Sequence, residues 1–180
     1  MGAWLNAIGY QVASLAVMYF AGIERPWLGI AACLVFAVVQ LYFSRTRTGD
    51  VFAMLTAFVV GFTLDGLWAD VGWVTYASPS PALFAPAWIL ALWVAFAMTF
   101  NHSLRWMRGR LWLAALGGAI GGPLAYWGAA RVFSAVALPS PPWTSFALLA
   151  ISWAMAVPLI ARAAALGEPA SSLHHQGARS

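Results

Sequence analysis

Apolar positions fall in six long blocks along the chain, at 4–21, 28–44, 51–76, 87–107, 112–136 and 143–166. Between them lie short stretches rich in Pro, Gly or charge: G-I-E-R-P-W, S-R-T-R-T-G-D, A-S-P-S-P-A-L-F-A-P, R-G-R and A-L-P-S-P-P. A hydrocarbon core of about 30 Å takes roughly 20 helical residues at about 1.5 Å each. The pattern therefore predicts an all-α integral membrane protein. Residues 1–166 would form one domain, a bundle of six transmembrane helices, with a polar, mobile tail over 167–180. The first block follows a start, M-G-A-W-L-N, that has no Arg or Lys, and no clear small-x-small cleavage site comes after it. It is expected to remain as a helix rather than be removed as a signal peptide.

Composition strengthens this reading. Hydrophobic residues make up 63% of the 180 positions and charged ones 8%, against about 25% charged in a soluble domain. The net charge of +4 comes from nine arginines with no lysine. They sit between apolar blocks rather than on one basic face with interleaved aromatics, which argues against a nucleic-acid partner. Arg45, Arg47, Arg105, Arg108, Arg110, Arg162 and Arg179 fall on one side of the threading. The other side has Arg25, offset by Glu24, and Arg131, placed inside a helix. The positive-inside rule then puts both termini and the two Arg-rich turns in the cytoplasm. Trp4, Trp27, Trp88, Trp106, Trp112 and Trp143 stand at block ends, as interfacial anchors do. Cys33 is the one cysteine, so the chain has no disulfide framework or thiol metal cluster. His174 and His175 in the tail lack further metal ligands, and no metal site is expected.

The polar residues inside the blocks fall in two layers. In a straight fourth helix His102 lies roughly 22 Å from the outer boundary, and in the third Asp65 lies roughly 21 Å from the inner one. The two then differ in height by roughly 13 Å, too far for a hydrogen bond and so for a catalytic dyad. The cytoplasmic layer would hold Asn6, Gln11, Gln40, Asn101, His102 and Ser103. The outer layer would hold Asp65, Asp70, Tyr126 and Arg131. An ionised Asp at mid-helix costs about 2.5 to 3.5 kcal/mol on insertion scales, so Asp65 should face the bundle. Gly61, Trp68 and Gly72 share its stripe. Equal height pairs Arg131 with Asp70 and leaves Asp65 to Tyr126, a backbone group or water.

Helix five carries G-G-A-I-G-G-P, in which Gly117 with Gly121, and Gly118 with Gly122, have GxxxG spacing. This is a face for close packing, against a neighbouring helix, a protein partner or a second copy of the chain. Pro123 and Pro158 free carbonyls of the preceding turn, and the one near Ala154 is a candidate partner for Asn101 or His102. Asn101 and His102 either lock helix register or form a ligand or proton-transfer site. Trp68, Trp73, Trp93, Trp127 and Trp153 either fill the bundle or line a pocket for a flat or acyl ligand. GxSxG, Walker, HExxH and dinucleotide-fingerprint motifs are absent in any suitable setting.

L-N-A-I-G-Y-Q, T-L-D-G-L-W, A-W-I-L-A-L-W-V-A-F-A-M-T-F-N-H-S-L-R-W and G-G-P-L-A-Y-W-G-A-A-R together resemble the bacterial inner-membrane family filed as domain of unknown function 2878. The resemblance implies a small multi-pass protein of the bacterial inner (cytoplasmic) membrane, with no assigned activity. It also implies that its relatives are often encoded near lipid-modifying methyltransferases of the cyclopropane fatty acid type. Asn6, Gln11, Asp65, Asn101, His102, Tyr126 and Arg131 belong to that pattern, which gives none of them a role. The expected function is binding, or helping to modify, a lipid or other apolar molecule. The alternatives are a small solute-binding transport subunit and a structural or assembly protein. Cofactor and catalytic residues stay unassigned.

Overall fold

A computed structural model describes residues 2–80, 84–139 and 141–166. The tail over 167–180, with His174 and His175, lies outside the described residues. Six helices account for most of the chain: α1 (Ala3–Gly22), α2 (Pro26–Phe43), α3 (Arg47–Val71), α4 (Ala87–Ala97), α5 (Leu111–Arg131) and α6 (Trp143–Ala165). Pro26 opens α2 at a position where its missing N–H is no loss. Gly72, at φ 78°, closes α3 in the left-handed conformation that only glycine adopts cheaply.

Three helices are long and apolar enough to cross a membrane: α2, α3 and α6. Large apolar side chains such as Leu5, Val12, Val35, Val38 and Leu124 point outward, each more than half exposed. Such a surface fits lipid better than water.

The helices alternate in direction, so their ends gather at two poles. At one pole Asn6 bonds Ser103, Ser44 and Asn101 bond Asp50, and Gly49 lies against the carbonyl of Ala164. At the other, Ser78 donates to the Ala21 carbonyl (3.0 Å), Ser145 to that of Trp73 (3.1 Å), and Gly22 lies against the Phe133 carbonyl. There the chain adds two short strands, β1 (Thr75–Tyr76) and β2 (Val136–Ala137), paired antiparallel with Tyr76 opposite Val136. The sequence pattern held no sign of them, since two residues are too few for periodicity.

α3 is central, packing on both α4 and α6, while α2 joins α1 and α4 on one side and α5 backs onto α6 on the other. Its buried stripe reads Asp50, Ala53, Ala57, Gly61, Asp65 and Trp68, one helical face with an acid near each end and small residues between.

The fourth block departs from expectation. Instead of one helix over 87–107, α4 stops at Ala97 after 11 residues, about 16 Å. The backbone then tightens into i→i+3 bonds, Met98 to Ala95, Thr99 to Phe96 and Phe100 to Ala97. A further 3-10 turn, Arg105–Met107, leads to α5. Thr99 helps break the helix by turning its hydroxyl back onto the Phe96 carbonyl at 2.6 Å. A depth counted at 1.5 Å per residue therefore no longer applies to Asn101 and His102. Trp88 is a second correction: it is buried, with its ring N–H on the Ala77 carbonyl at 3.0 Å, and is no interfacial anchor.

Candidate functional site

The two buried acids of α3, Asp50 and Asp65, each organise a polar cluster, about 22 Å apart along the helix. Toward its C-terminus, Asp65 is fully buried and accepts three hydrogen bonds. Tyr126 of α5 and Tyr76 of β1 (2.7 Å) donate to Oδ1, and the Trp93 ring N–H of α4 donates to Oδ2 at 2.7 Å. Gly61, one turn before Asp65, makes this possible: any Cβ there would collide with the Trp93 ring. Trp93 stacks in turn on Trp153 of α6, centroids 4.4 Å apart. The strand pairing holds Tyr76 where its hydroxyl reaches inward, so the carboxyl ties four elements together.

Asp70 and Arg131, expected beside these residues, are both exposed, and no ion pair joins them among the described residues. Only five residues beyond Asp65 but on another face of α3, Asp70 turns away from the stripe.

At the other end Asp50, fully buried in the first turn of α3, accepts from Ser44, from Asn101 Nδ2 (2.8 Å) and faces His102 Nε2 (3.3 Å). Arg108 donates to Asn101 Oδ1 at 2.6 Å and so orients that amide toward the acid. Next to this lies Asn6, also fully buried. Its Nδ2 donates to Gln40 Oε1 and to the Met98 carbonyl, both at 3.0 Å. Its Oδ1 accepts from the Ser103 amide (3.2 Å) and hydroxyl (2.6 Å). All four hydrogen-bonding positions of the amide are filled. The Met98 carbonyl is available because α4 has already ended.

The cytoplasmic-layer residues thus divide. Asn6, Gln40, Asn101, His102 and Ser103 come together, whereas Gln11 is exposed on α1. Asn101 and His102 turn to Asp50 rather than to a carbonyl freed by Pro158. Asp50, Ser44 and Tyr76 escaped sequence reasoning, which places Trp93 as filler or pocket lining but not as a partner of Asp65. Asp50 could have been found: stepping back from Asp65 by four, four, four and three residues along the stripe reaches it. Among the described residues no three His, Cys, Asp or Glu side chains gather in a metal-binding group.

A third feature is apolar. Tyr10 of α1 and Phe96 of α4 face Gly117, Gly121 and Ala125 of α5 across a cavity of about 160 Å³, with Trp153 at its back. Past the same Trp153 it narrows to a cavity of about 40 Å³ reaching Trp88, Tyr126 and Val136. The two glycine pairs of α5 have different tasks. Gly118 and Gly122 lie against Trp153, whose carbonyl and ring would strike any Cβ there, and so allow α5 and α6 to pack closely. Gly121 has nothing within 4 Å of its Cβ position and forms part of the cavity wall. The Trp153 ring N–H is buried without a partner among the described residues. Of the five tryptophans considered as filler or pocket lining, Trp93 and Trp153 line this groove, Trp68 is core against Tyr126, Trp73 is partly buried against the core, and Trp127 is exposed.

The family model described as "Protein of unknown function (DUF2878)" matches residues 3–159. Comparison with curated proteins and with solved structures gave no match.

Proposed function

The chain belongs to DUF2878, a family of unknown function, and we propose that it is a six-crossing bacterial inner-membrane protein that binds one acyl or isoprenoid chain in the groove between α1, α4 and α5. Its termini are cytoplasmic in this reading. Arg45, Arg47, Arg105, Arg108, Arg110 and Arg162 belong to the pole where Asn6, Ser44 and Ala164 gather, which favours that pole as the cytoplasmic one. A C-terminal fluorescent reporter that matures only in the cytoplasm should therefore fluoresce in intact cells. A dark reporter with a full-length fusion on a blot would invert the assignment.

The observation that carries the lipid reading is the groove itself: an apolar, aromatic-lined seam in a bundle with a lipid-facing surface, holding one buried N–H with no acceptor among the described residues. A hydrocarbon chain fits such a wall, and an ester carbonyl or hydroxyl on it would satisfy Trp153. Asp65 takes three bonds from the protein's own donors, so we assign it to holding the helices in place rather than to a ligand.

Gly121→Leu tests this. A Cβ at Gly121 meets nothing within 4 Å, so a leucine there can extend into the groove, and leucine suits a helix better than glycine by about 1 kcal/mol. The variant should fold with a thermal midpoint no lower than that of the wild type and lose the acyl or isoprenoid species that mass spectrometry finds with the purified wild type. Gly118→Leu, driven into the Trp153 carbonyl, should instead lower stability by about 2 kcal/mol or more. Equal lipid content in wild type and Gly121→Leu would refute the groove as its site.

A further inference from the structure

A separate polar cleft opens at the Arg-rich pole, lined by Phe43, Arg45, Thr46, Asn101, His102 and Arg105, with a volume of about 370 Å³. That lies within the range of about 300 to 1,000 Å³ typical of small-molecule sites. We infer that it binds a phosphate-bearing anion.

The chemistry of its wall is one-sided. Two arginines, a histidine, an asparagine and a threonine line the space, and among the described residues no carboxylate does. Asp50, bonded to Asn101 and His102 of this wall, has both oxygens engaged: Oδ1 by Asn101, Oδ2 by Ser44 and His102. Both oxygens are thus taken behind the wall, where they position His102 and Asn101. Arg47, from the same turn, takes no part, since its guanidinium closes the end of α2 on the carbonyls of Leu41 (3.2 Å) and Tyr42 (2.8 Å). Arg45 has no such duty and turns to the cleft.

Thr46 adds a second contribution. It is the residue before α3, a helix of 25 residues that has no side-chain cap at this end. The N–H groups of that first turn, and the positive end of the helix dipole, therefore lie at the cleft. Arginine beside an uncapped helix start suits the oxygens of a phosphoryl group, because a guanidinium and backbone N–H groups can donate to it together. The cleft shares no lining residue with the apolar groove. This inference is thus independent of the lipid-chain reading, and either can fail alone.

Two sources could supply the phosphoryl group, a soluble phosphate compound or a lipid headgroup, and one titration distinguishes them. The full-length protein in detergent is unfolded thermally against inorganic phosphate and, separately, against short-chain phosphatidic acid, at constant ionic strength. Phosphatidylcholine of the same chain length serves as control. Wild-type protein should show a saturable rise in midpoint, as any ligand specific to the folded state produces. A rise with both ligands identifies soluble phosphate as sufficient, and a rise with phosphatidic acid alone identifies the headgroup. Arg45→Gln should weaken apparent affinity about tenfold or more, and His102→Gln, which keeps a donor for Asp50, likewise. Each shift is read against the variant's own unliganded midpoint. Arg110→Gln, outside the cleft, should bind as wild type does. The inference is overturned if neither phosphate ligand shifts the wild type, if phosphatidylcholine matches phosphatidic acid, or if Arg110→Gln loses as much as Arg45→Gln.

Discussion

Asp65→Ala should lower stability by about 4 kcal/mol, a large part of the roughly 5–15 kcal/mol that separates a folded domain from its unfolded states. The substitution leaves Tyr76, Tyr126 and Trp93 each with a buried donor and no acceptor, at about 1–3 kcal/mol apiece. Lipid moderates the sum, because in a membrane the unfolded helices also find partners for their polar groups. Asp65→Asn separates the acceptor's role from that of its charge. The amide keeps an oxygen for the two tyrosines and turns an NH₂ toward the Trp93 N–H, so one bond of three is lost and the expected cost is about 2 kcal/mol. Reversible unfolding in mixed micelles measures both. If Asp65→Ala unfolds at the wild-type midpoint, the carboxyl is not what joins α3, α4, α5 and β1.

The second large effect belongs to Asn6, and there the conservative change should be the worse one. Asn6→Ala removes the acceptor of Ser103 and the donors of Gln40 and Met98, and should cost about 3 kcal/mol. Asn6→Asp keeps oxygen for Ser103 but sets a carboxylate against two acceptors, Gln40 Oε1 and the Met98 carbonyl, in a fully buried place. It should destabilise at least as much as alanine does. The opposite ranking from the Asp65 pair follows from the donors and acceptors around each residue. Amide hydrogen exchange at Ser103 should rise in both Asn6 variants. Unchanged protection there would mean that the stretch 98–104 is held by something other than Asn6.

Five of the six helices lie close to where the apolar blocks put them, because a helix in lipid must satisfy its own backbone and its length is legible as a count of apolar residues. The fourth does not. The block 87–107 is apolar enough to read as one helix, yet Thr99, Asn101, His102 and Ser103 draw the backbone out of it by offering bonds to Phe96, Asp50 and Asn6. Tertiary partners overrode the local pattern there, and Asp50, placed by the sequence in a charged turn, proved to be the residue those partners serve. Its place on the stripe of Ala53, Ala57, Gly61 and Asp65 was written in the spacing. What hid it was the habit of reading R-T-R-T-G-D as a loop. The expected Asp70 and Arg131 pair failed for the complementary reason, since similar height along two helices says nothing about the faces they present.

Composition and periodicity alone determined the class of molecule: all-helical, apolar on its outside, arginine-rich at one pole, with a few hydrophilic side chains obliged to turn inward. That much follows from the cost of placing polar groups in hydrocarbon, which every residue meets separately and which can be summed along a chain. Which hydrophilic groups meet, where α4 ends, and which glycine pair closes a helix interface while the other leaves a groove were decided only in three dimensions. A hydrogen bond or a cavity is a relation between residues far apart in sequence, and its energy depends on rotation and register that no single segment contains.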